Sequence, residues 1–419
     1  MIRTYKYRLY PTNAQAEGLY EARQLDCLLW QGRTLYNAAL EQRITTYQET
    51  GKSLKYVDQW PHFRDLRNAN PDTLGQLNAT SVQQMLRRLD KAFVTFFHRL
   101  KAGKKPGFPR FKGRHRFNSL EYRYGDGCKL RFDDTERALF YVQNVGEIKV
   151  KYHRPLPHRG LRPHRDLWPE GAAIKHVILK RSNRKWYVCL QVELAVPPPH
   201  RGLWPEPHTG AAVGVDVGLL RLLTLSDGTP IDNPCWLRGS LAALRVAQRR
   251  LSRRVKGSQR RRKAAEQVAR LHEHIVNQRR DFWHKATRWL VDTYSLVAVE
   301  NLTLDFMTHN PRLSLSAHDA GLGLFRELLT YKAESAGTKV VAVNPQHTSQ
   351  VCSGCGAVVP KPLLERIHAC PHCDLRIDRD ENAARNILAL ALAFKSARTG
   401  LSGVNVDQRV MRSLRSSPL

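Results

Sequence analysis

Two pairs of cysteines, Cys352-Ser-Gly-Cys355 and Cys370-Pro-His-Cys373, are separated by fourteen residues. Each CxxC turn folds two thiolates onto one ion, and two such turns complete a closed tetrahedral Zn²⁺ site. A closed site leaves no position for water or substrate, so this single zinc is expected to be structural. His368 and His372 lie nearby, but four thiolates make them unnecessary as ligands. One irregularity is Asp374, which stands where a zinc knuckle commonly carries glycine.

A second set of residues is spread more widely. Asp216 interrupts the apolar strand pattern "AAVGVDVGLL", Glu300 ends "YSLVAVENL", and Asp380 lies in "CDLRIDRDENAARNIL", which runs into a helix. Val213, Val215 and Val217 share one face of the first strand. Asp216 is on the other, between Gly214 and Gly218, whose missing side chains leave room for a large ligand to approach the backbone. A lone carboxylate in an apolar strand is costly unless a cation meets it. Three converging carboxylates repel one another and are tolerable around divalent cations. Two Mg²⁺ ions about 4 Å apart can activate a water and stabilise the leaving oxygen of a phosphodiester. For Asp380 a plainer role is also open, as the N-cap of a helix starting near Glu381. Asp378, two residues earlier, is the other candidate for the third ligand.

The composition narrows the partners. The 419 residues include 68 Lys and Arg against 37 Asp and Glu, a formal net charge of +31. Such an excess repels itself unless a polyanion neutralises it, and nucleic acid is the usual one. A hydrophobic fraction of 42% supports globular cores, and the length suggests about two or three domains. No apolar run approaches the ~18 residues that span a bilayer, and "MIRTYKYRLY" is not a signal peptide, so a soluble intracellular protein is expected. Cys27, Cys128, Cys189 and Cys235 are isolated and read as buried or half-exposed thiols. In a reducing compartment the paired cysteines point to metal rather than disulfides.

Several elements must position these residues. "YKYRLYPTNAQ" opens as a strand and is stopped by Pro11; helices follow to about residue 100. In "SVQQMLRRLDKAFVTFFHRL", Val82, Met85, Leu86, Leu89, Phe93, Phe96, Phe97 and Leu100 recur at helical spacing. "KAGKKPGFPRFKGRHRF" then interleaves basic residues with Phe108, Phe111 and Phe117, either to stack on bases or to anchor a solvated loop. Residues 118–196 break into short β patterns of a small antiparallel barrel or sheet, and the Pro- and Gly-rich 197–210 is a linker. Between the strands of Asp216 and Glu300 lies a basic helical region. Arg245 to Lys285 holds 14 Lys or Arg against three acids, with Val268, Leu271, Ile275, Phe282, Ala286 and Trp289 on its apolar stripe. "GLGLFRELLTYKAESAG" is a helix and "TKVVAVNP" a further strand. Strand, hairpin, helix, strand, helix, strand and helix, with acids on the first strand, a later strand and the last helix, is the order of an RNase H-like nuclease core.

The stretches "YKYRLYPTNAQ", "RRLDKAFVTFFHRLKAGKKPGFPRFKG", "GVDVG", "NQRRDFWHKATRWLV", "VAVENL", "NPQHTSQVCSGCG" and "DRDENAARNIL" together closely resemble the TnpB family. These are transposon-encoded RNA-guided endonucleases similar to the ancestor of type V CRISPR effectors. The resemblance implies a multidomain α/β plus all-β protein. A wedge-type β-barrel (1–11 and 114–196) would carry an inserted helical recognition lobe (12–113). A RuvC-type nuclease domain (211–345 and 376–395) would be interrupted by a zinc-ribbon target-nucleic-acid-binding insert (346–375). It also implies a guide RNA derived from the transposon end, double-stranded target DNA cut beside a short recognition motif, and a monomer in the RNA complex. The setting implied is prokaryotic cytoplasm, close to the nucleoid. The catalytic, Mg²⁺-binding acids fall by motif on Asp216, Glu300 and Asp380. Asp380 is preferred to Asp378 because the family pattern places the ligand two residues before the asparagine, here Asn382. Residues 153–171 read as local elaboration of the barrel, and the tail from about 396 as disordered. A nuclease-inactive RNA-guided repressor would lack one of the acids, and a cut-and-paste transposase normally orders them Asp, Asp, Glu. An accessory transposition protein remains a further reading. A plain helix-turn-helix regulator accounts for residues 12–45 but for neither the acids nor the cysteines.

Overall fold

The computed structural model describes residues 2–16, 25–114, 116–133, 135, 137–154, 156, 173–194, 211–302, 304–362 and 365–399. The expected linker, most of the elaboration at 153–171 and the tail beyond Thr399 lie outside them. The chain divides into two compact units, Met1–Pro198 and Pro199–Leu419.

In the first unit, β1 (Ile2–Tyr10), α1 (Asn13–Ala16), α2 (Leu25–Thr50), α3 (Tyr56–Asn68) and α4 (Ala79–Lys101) precede six further strands. These are β2 (Ser119–Arg123), β3 (Cys128–Phe132), β4 (Ala138–Val142), β5 (Gly146–Lys151), β6 (Ala173–Ser182) and β7 (Lys185–Glu193). They form one antiparallel sheet in the order β2-β6-β7-β1-β5-β4-β3. Strand β1 lies inside this sheet because it alternates, burying Tyr5, Tyr7 and Leu9 while Lys6 and Tyr10 stay exposed. The helices are therefore an excursion between the first strand and the rest. Val82, Met85, Leu86 and Leu89 of α4 enter the core as the periodicity requires, but Phe97 and Leu100 remain exposed. The three phenylalanines after α4 do not share one role. Phe117 is core beside Tyr36, Phe108 packs edge-on against Phe93 and Phe96, and Phe111 is exposed. The anchoring role thus holds for Phe117, while Phe108, 48% exposed, and Phe111, 53% exposed, keep ring surface open to solvent.

The second unit contains β8 (Ala212–Val217), β9 (Arg221–Leu225), β10 (Pro230–Asp232), α5 (Trp236–Ser252), α6 (Gln259–Thr293) and β11 (Leu296–Glu300). There follow α7 (Asp305–His309), α8 (Ser314–Ala320), α9 (Leu322–Ala336), β12 (Lys339–Val343), β13 (Ile367–Ala369), β14 (Arg376–Asp378) and α10 (Arg379–Thr399). The main sheet runs β10-β9-β8-β11-β12. Strands β8, β11 and β12 are parallel and β9 and β10 antiparallel to their neighbours. Helix α10 continues past the expected boundary at 395. In α6 the core anchor is Trp283, fully buried with Nε1 donating to Ala320 O at 2.8 Å, rather than Phe282 or the 40% exposed Trp289. Ile275 is buried and Phe282 and Ala286 pack on the core as the stripe requires, but from Trp283 onward the fully buried line is Trp283, Thr287 and Leu290, which faces α9.

Gly214 has a different purpose from the one its sequence context suggested. A Cβ there would lie 2.0 Å from Ala384 O and 2.8 Å from Leu388 N, so the close neighbour is α10 and not a ligand. Gly218 likewise faces Arg221 O at 2.7 Å, inside the turn to β9. Because both obstacles are backbone, Gly214→Ala forces α10 off β8. It is expected to cost about 3 kcal/mol, read as a lowered unfolding midpoint of this unit in denaturant melts. Unchanged stability would mean that α10 is not seated on β8 in this way.

Candidate active site and zinc centre

Parallel strands β8 and β11 are neighbours, with Val215 paired to Val299, so Asp216 and Glu300 emerge side by side near their C-terminal ends. Helix α10 brings Asp380 to the same place. Burial holds the Asp216 carboxyl well above the usual carboxylate range, and the charges of Glu300 and Asp380 push it further, while the Val217 N–H and the Arg379 guanidinium oppose them. Burial also raises Glu300, against the Thr348 hydroxyl that donates to its Oε1. Arg366 Nη1 donates to both oxygens of Asp380, at 3.2 and 3.3 Å. The three acids named from the sequence are thus in one electrostatic neighbourhood.

Asp378 is not part of it. Helix α10 begins at Arg379, earlier than the sequence indicated, which makes Asp378 the residue that caps it. Its Oδ1 accepts the Asp380 N–H at 2.8 Å, and its Oδ2 accepts from Arg221 Nη1 at 3.0 Å. The capping role belongs to Asp378, and the Asp380 carboxylate, paired with Arg366, is the one whose charge reaches Asp216.

The four paired cysteines gather with their sulfur atoms within 4.8 Å of one another. Cys352 and Cys373 sulfurs are 3.6 Å apart, as are those of Cys355 and Cys370. Thiolates on a tetrahedral zinc with Zn–S near 2.3 Å stand about 3.8 Å apart, so this donor set fits the ion. The Cys370 thiol is drawn down to about 7: burial opposes this, but the His372 and Cys373 N–H groups and the neighbouring thiols outweigh it. His368 is buried against Lys361 and is not one of the gathered donors, nor is His372. The irregular Asp374 has φ 56°, in the left-handed region, and the matching position of the first knuckle is Gly356 at φ 78°. Aspartate is among the few residues that enter this region readily. Of the isolated cysteines, Cys27 and Cys128 are buried and Cys189 and Cys235 half-buried, as expected.

The knuckles are tied to α10 by two buried asparagines one turn apart. Asn382 Nδ2 donates to Val351 O at 2.7 Å and its Oδ1 accepts the Ser353 N–H at 2.9 Å. Asn386 Nδ2 donates to Thr348 O at 2.8 Å and Val351 O at 2.7 Å. The sequence reading used Asn382 as a landmark and missed the function of this pair. Its signal was the spacing of four residues on the helix that carries Asp380. Also missed were Thr348, Arg366 and, in the first unit, a cavity of about 300 Å³ lined by Thr80, Gln83, Gln84, Arg87, Arg123, Lys175 and His176. No described helix is long and apolar enough to cross a membrane.

Comparison with known proteins gives the family. A family model described as "Probable transposase" matches residues 190–310, a "Cas12f1-like, TNB domain" model matches 323–387, and a "Helix-turn-helix domain" model matches 1–52. A protein of Streptomyces pristinaespiralis named "Putative RNA-guided DNA endonuclease" is 34% identical, covering 98% of this chain and 94% of its own. The Escherichia coli "Putative RNA-guided DNA endonuclease InsQ" is 30% identical over 85% of this chain and 86% of its own. The "CRISPR-associated endodeoxyribonuclease Cas12f1" of Sulfoacidibacillus thermotolerans is 27% identical over 50% of this chain and 51% of its own. The class is that of transposase-like proteins whose paired cysteines stand in a segment matching the Cas12f1-like TNB domain. The chain belongs to the TnpB family.

Two outcomes follow from the site. The folded protein binds the Asp216 proton more tightly than the unfolded chain, so metal-free stability falls as pH rises through the range above 3.8. Asp216→Asn removes that fall and is expected to raise the metal-free melting temperature at neutral pH by ~2–4 °C for each kcal/mol of repulsion relieved, a gain absent in acid. Cys352→Ser is expected to release one zinc per chain in metal analysis and to loosen residues 346–375 in hydrogen exchange before the main sheet opens.

Proposed function

We propose that the protein is an RNA-guided, metal-dependent DNA endonuclease of transposon origin, cutting target DNA beside a short recognition motif at a RuvC-type site. The observation that carries this reading is the meeting of Asp216, Glu300 and Asp380 at the end of two parallel strands and the start of a seated helix. The strand order β10-β9-β8-β11-β12 is that of an RNase H-like core and supports the same reading. So do the relatives named RNA-guided DNA endonuclease. On this reading 211–345 and 376–395 form the nuclease domain, 346–375 the zinc-ribbon insert, and 1–11 with 114–196 the wedge domain around a recognition lobe at 12–113. The working unit is one chain with its guide RNA.

Carboxylates are hard oxygen donors suited to Mg²⁺, and the raised Asp216 marks a donor set short of positive charge. Asp216, Glu300 and Asp380 would hold two Mg²⁺ ions, which supply an activated water and charge neutralisation at the leaving oxygen. The protein's own part is positioning. Thr348 fixes the Glu300 carboxylate, Asp378 caps α10 so that Asp380 faces inward, and Gly214 lets that helix approach. Zinc holds the knuckles whose backbone α10 grips, and no substrate reaches it. In the first unit, the amide and guanidinium side chains of the cavity at Gln83, Gln84, Arg87 and Arg123 suit base edges in a groove, so the target-adjacent motif is assigned there.

The test separates the two aspartates. Protein purified with its co-expressed transposon end should carry one defined non-coding RNA and cut matched duplex DNA. Asp380→Asn should abolish cutting at saturating Mg²⁺ while leaving RNA and DNA binding intact, because a neutral amide cannot replace the carboxylate between cations. Asp378→Ala should keep substantial cutting and lose about 1 kcal/mol of stability. Near-normal cutting by Asp380→Asn would move the third ligand elsewhere, and bulk degraded RNA in place of a defined species would sink the guided reading.

A further inference from the structure

Helices α5 and α6 form a hairpin that leaves the nuclease sheet. Its base is anchored: the buried Asp319 accepts the Leu237 and Arg238 N–H groups at the start of α5, and Trp283 fixes α6 to Ala320. Its direction follows from the packing of α9 along α6. Trp283 meets Phe325, Thr287 meets Lys332, and Val291 O accepts from Thr338, the residue just before β12. The C-terminal end of α6 therefore lies at the start of the parallel strands, and its N-terminal end points past the edge that carries Glu300. From Trp283 to Arg261 are 22 helical residues, or ~33 Å.

The outer end of this arm is built for phosphate. From Arg245 to Lys263 there are ten Lys or Arg and no acid. Val246, Arg249 and Arg250 at the end of α5, with Arg253 and Arg254 in the turn that follows it, line one open cavity of about 380 Å³. All four arginines are exposed. Arg261 is employed differently, donating to Leu251 O and Arg254 O at 3.0 Å and so holding the tip together under the arginine face. The face offers no aromatic ring to stack on a base and no amide to read one. Two guanidinium groups on the last turn of α5 and two in the turn beyond it line one cavity, and such a cluster suits the phosphates of one strand.

We propose that this arginine face grips the phosphodiester backbone of the duplex that carries the target DNA strand, at a reach set by the ~33 Å of α6 between Trp283 and the tip. Target DNA is favoured over the scaffold of the guide RNA because the arm springs from the catalytic edge, where the strand to be cut must lie. The inference rests on the proposed RNA-guided nuclease function. It makes the arm a sensor of duplex length: nucleic acid ending within about ten base pairs of the cut cannot reach it.

The experiment compares the wild-type RNA complex with a variant carrying Arg249→Gln, Arg250→Gln, Arg253→Gln and Arg254→Gln, and with the four Arg→Lys changes. The probe is labelled duplex DNA matched to the co-purified RNA. Expected are unchanged RNA identity and yield, DNA binding weakened about 10- to 100-fold at ~150 mM salt, and a log K versus log salt slope shallower by about three. The Lys variant should recover most of the affinity. Shortening the duplex to within about ten base pairs of the cut should abolish the difference between wild type and Gln variant. Intact DNA affinity in the Gln variant, or loss of RNA instead of DNA, overturns the proposal. The Arg253→Gln, Arg254→Gln pair gives the same decision should the fourfold variant unfold. Absence of guide-dependent DNA binding in the wild type would instead refute the underlying function.

Discussion

Carboxylates that face one another away from bulk water repel, and contacts made elsewhere must oppose that repulsion. Most of the second unit serves this end. Two parallel strands deliver Asp216 and Glu300, a helix from far along the chain delivers Asp380, and Gly214 lets that helix touch the strand backbone. The electrostatic cost is visible in Asp216, whose proton is held far above the ordinary range. Stability is thereby given up at the point where metal and substrate would return it, a common trade at functional sites.

The zinc knuckles belong to the same economy of forces. Their thiols are remote from catalysis in chemistry but not in structure. Val351 and Ser353 are hydrogen-bonded to Asn382, Thr348 to both Asn386 and Glu300, and Arg366 to Asp380. Folding the knuckles therefore orders one wall of the acidic site. A local constraint of four sulfur atoms fixes two carboxylates that it never touches.

What was legible in the sequence was whatever is encoded locally. Cys352, Cys355, Cys370 and Cys373 declare themselves by spacing, since the geometry of one ion sets it. Asp216 and Glu300 stand out because a charge in an apolar strand is anomalous in its own window. The start of α10 was misjudged because Asp378 and Asp380 are equally good caps on paper. Their division of labour depends on Arg221 and Asp216, both more than 150 residues away. The reason for Gly214 was illegible for the same cause: the obstacle is the backbone of α10, and a glycine beside an acid looks alike whether a ligand or a helix fills the space. In α6 the stripe was found but its anchor was displaced from Trp283, because periodicity alone does not tell a one-sided helix from one packed on two sides.

The seating of α10 on β8 also has a consequence in time. Asp216 and Asp380 are 164 residues apart in the chain, and the contact that unites them needs Ala384 and Leu388. At a synthesis rate of about 5–20 residues per second, roughly ten to thirty seconds separate the emergence of the two partners from a ribosome. During that interval the strands, the arginine arm and the whole of the first unit are already available to fold. The growing chain can thus fold its basic surfaces before Asp380 joins Asp216 and Glu300, so that the cluster of three carboxylates is completed last.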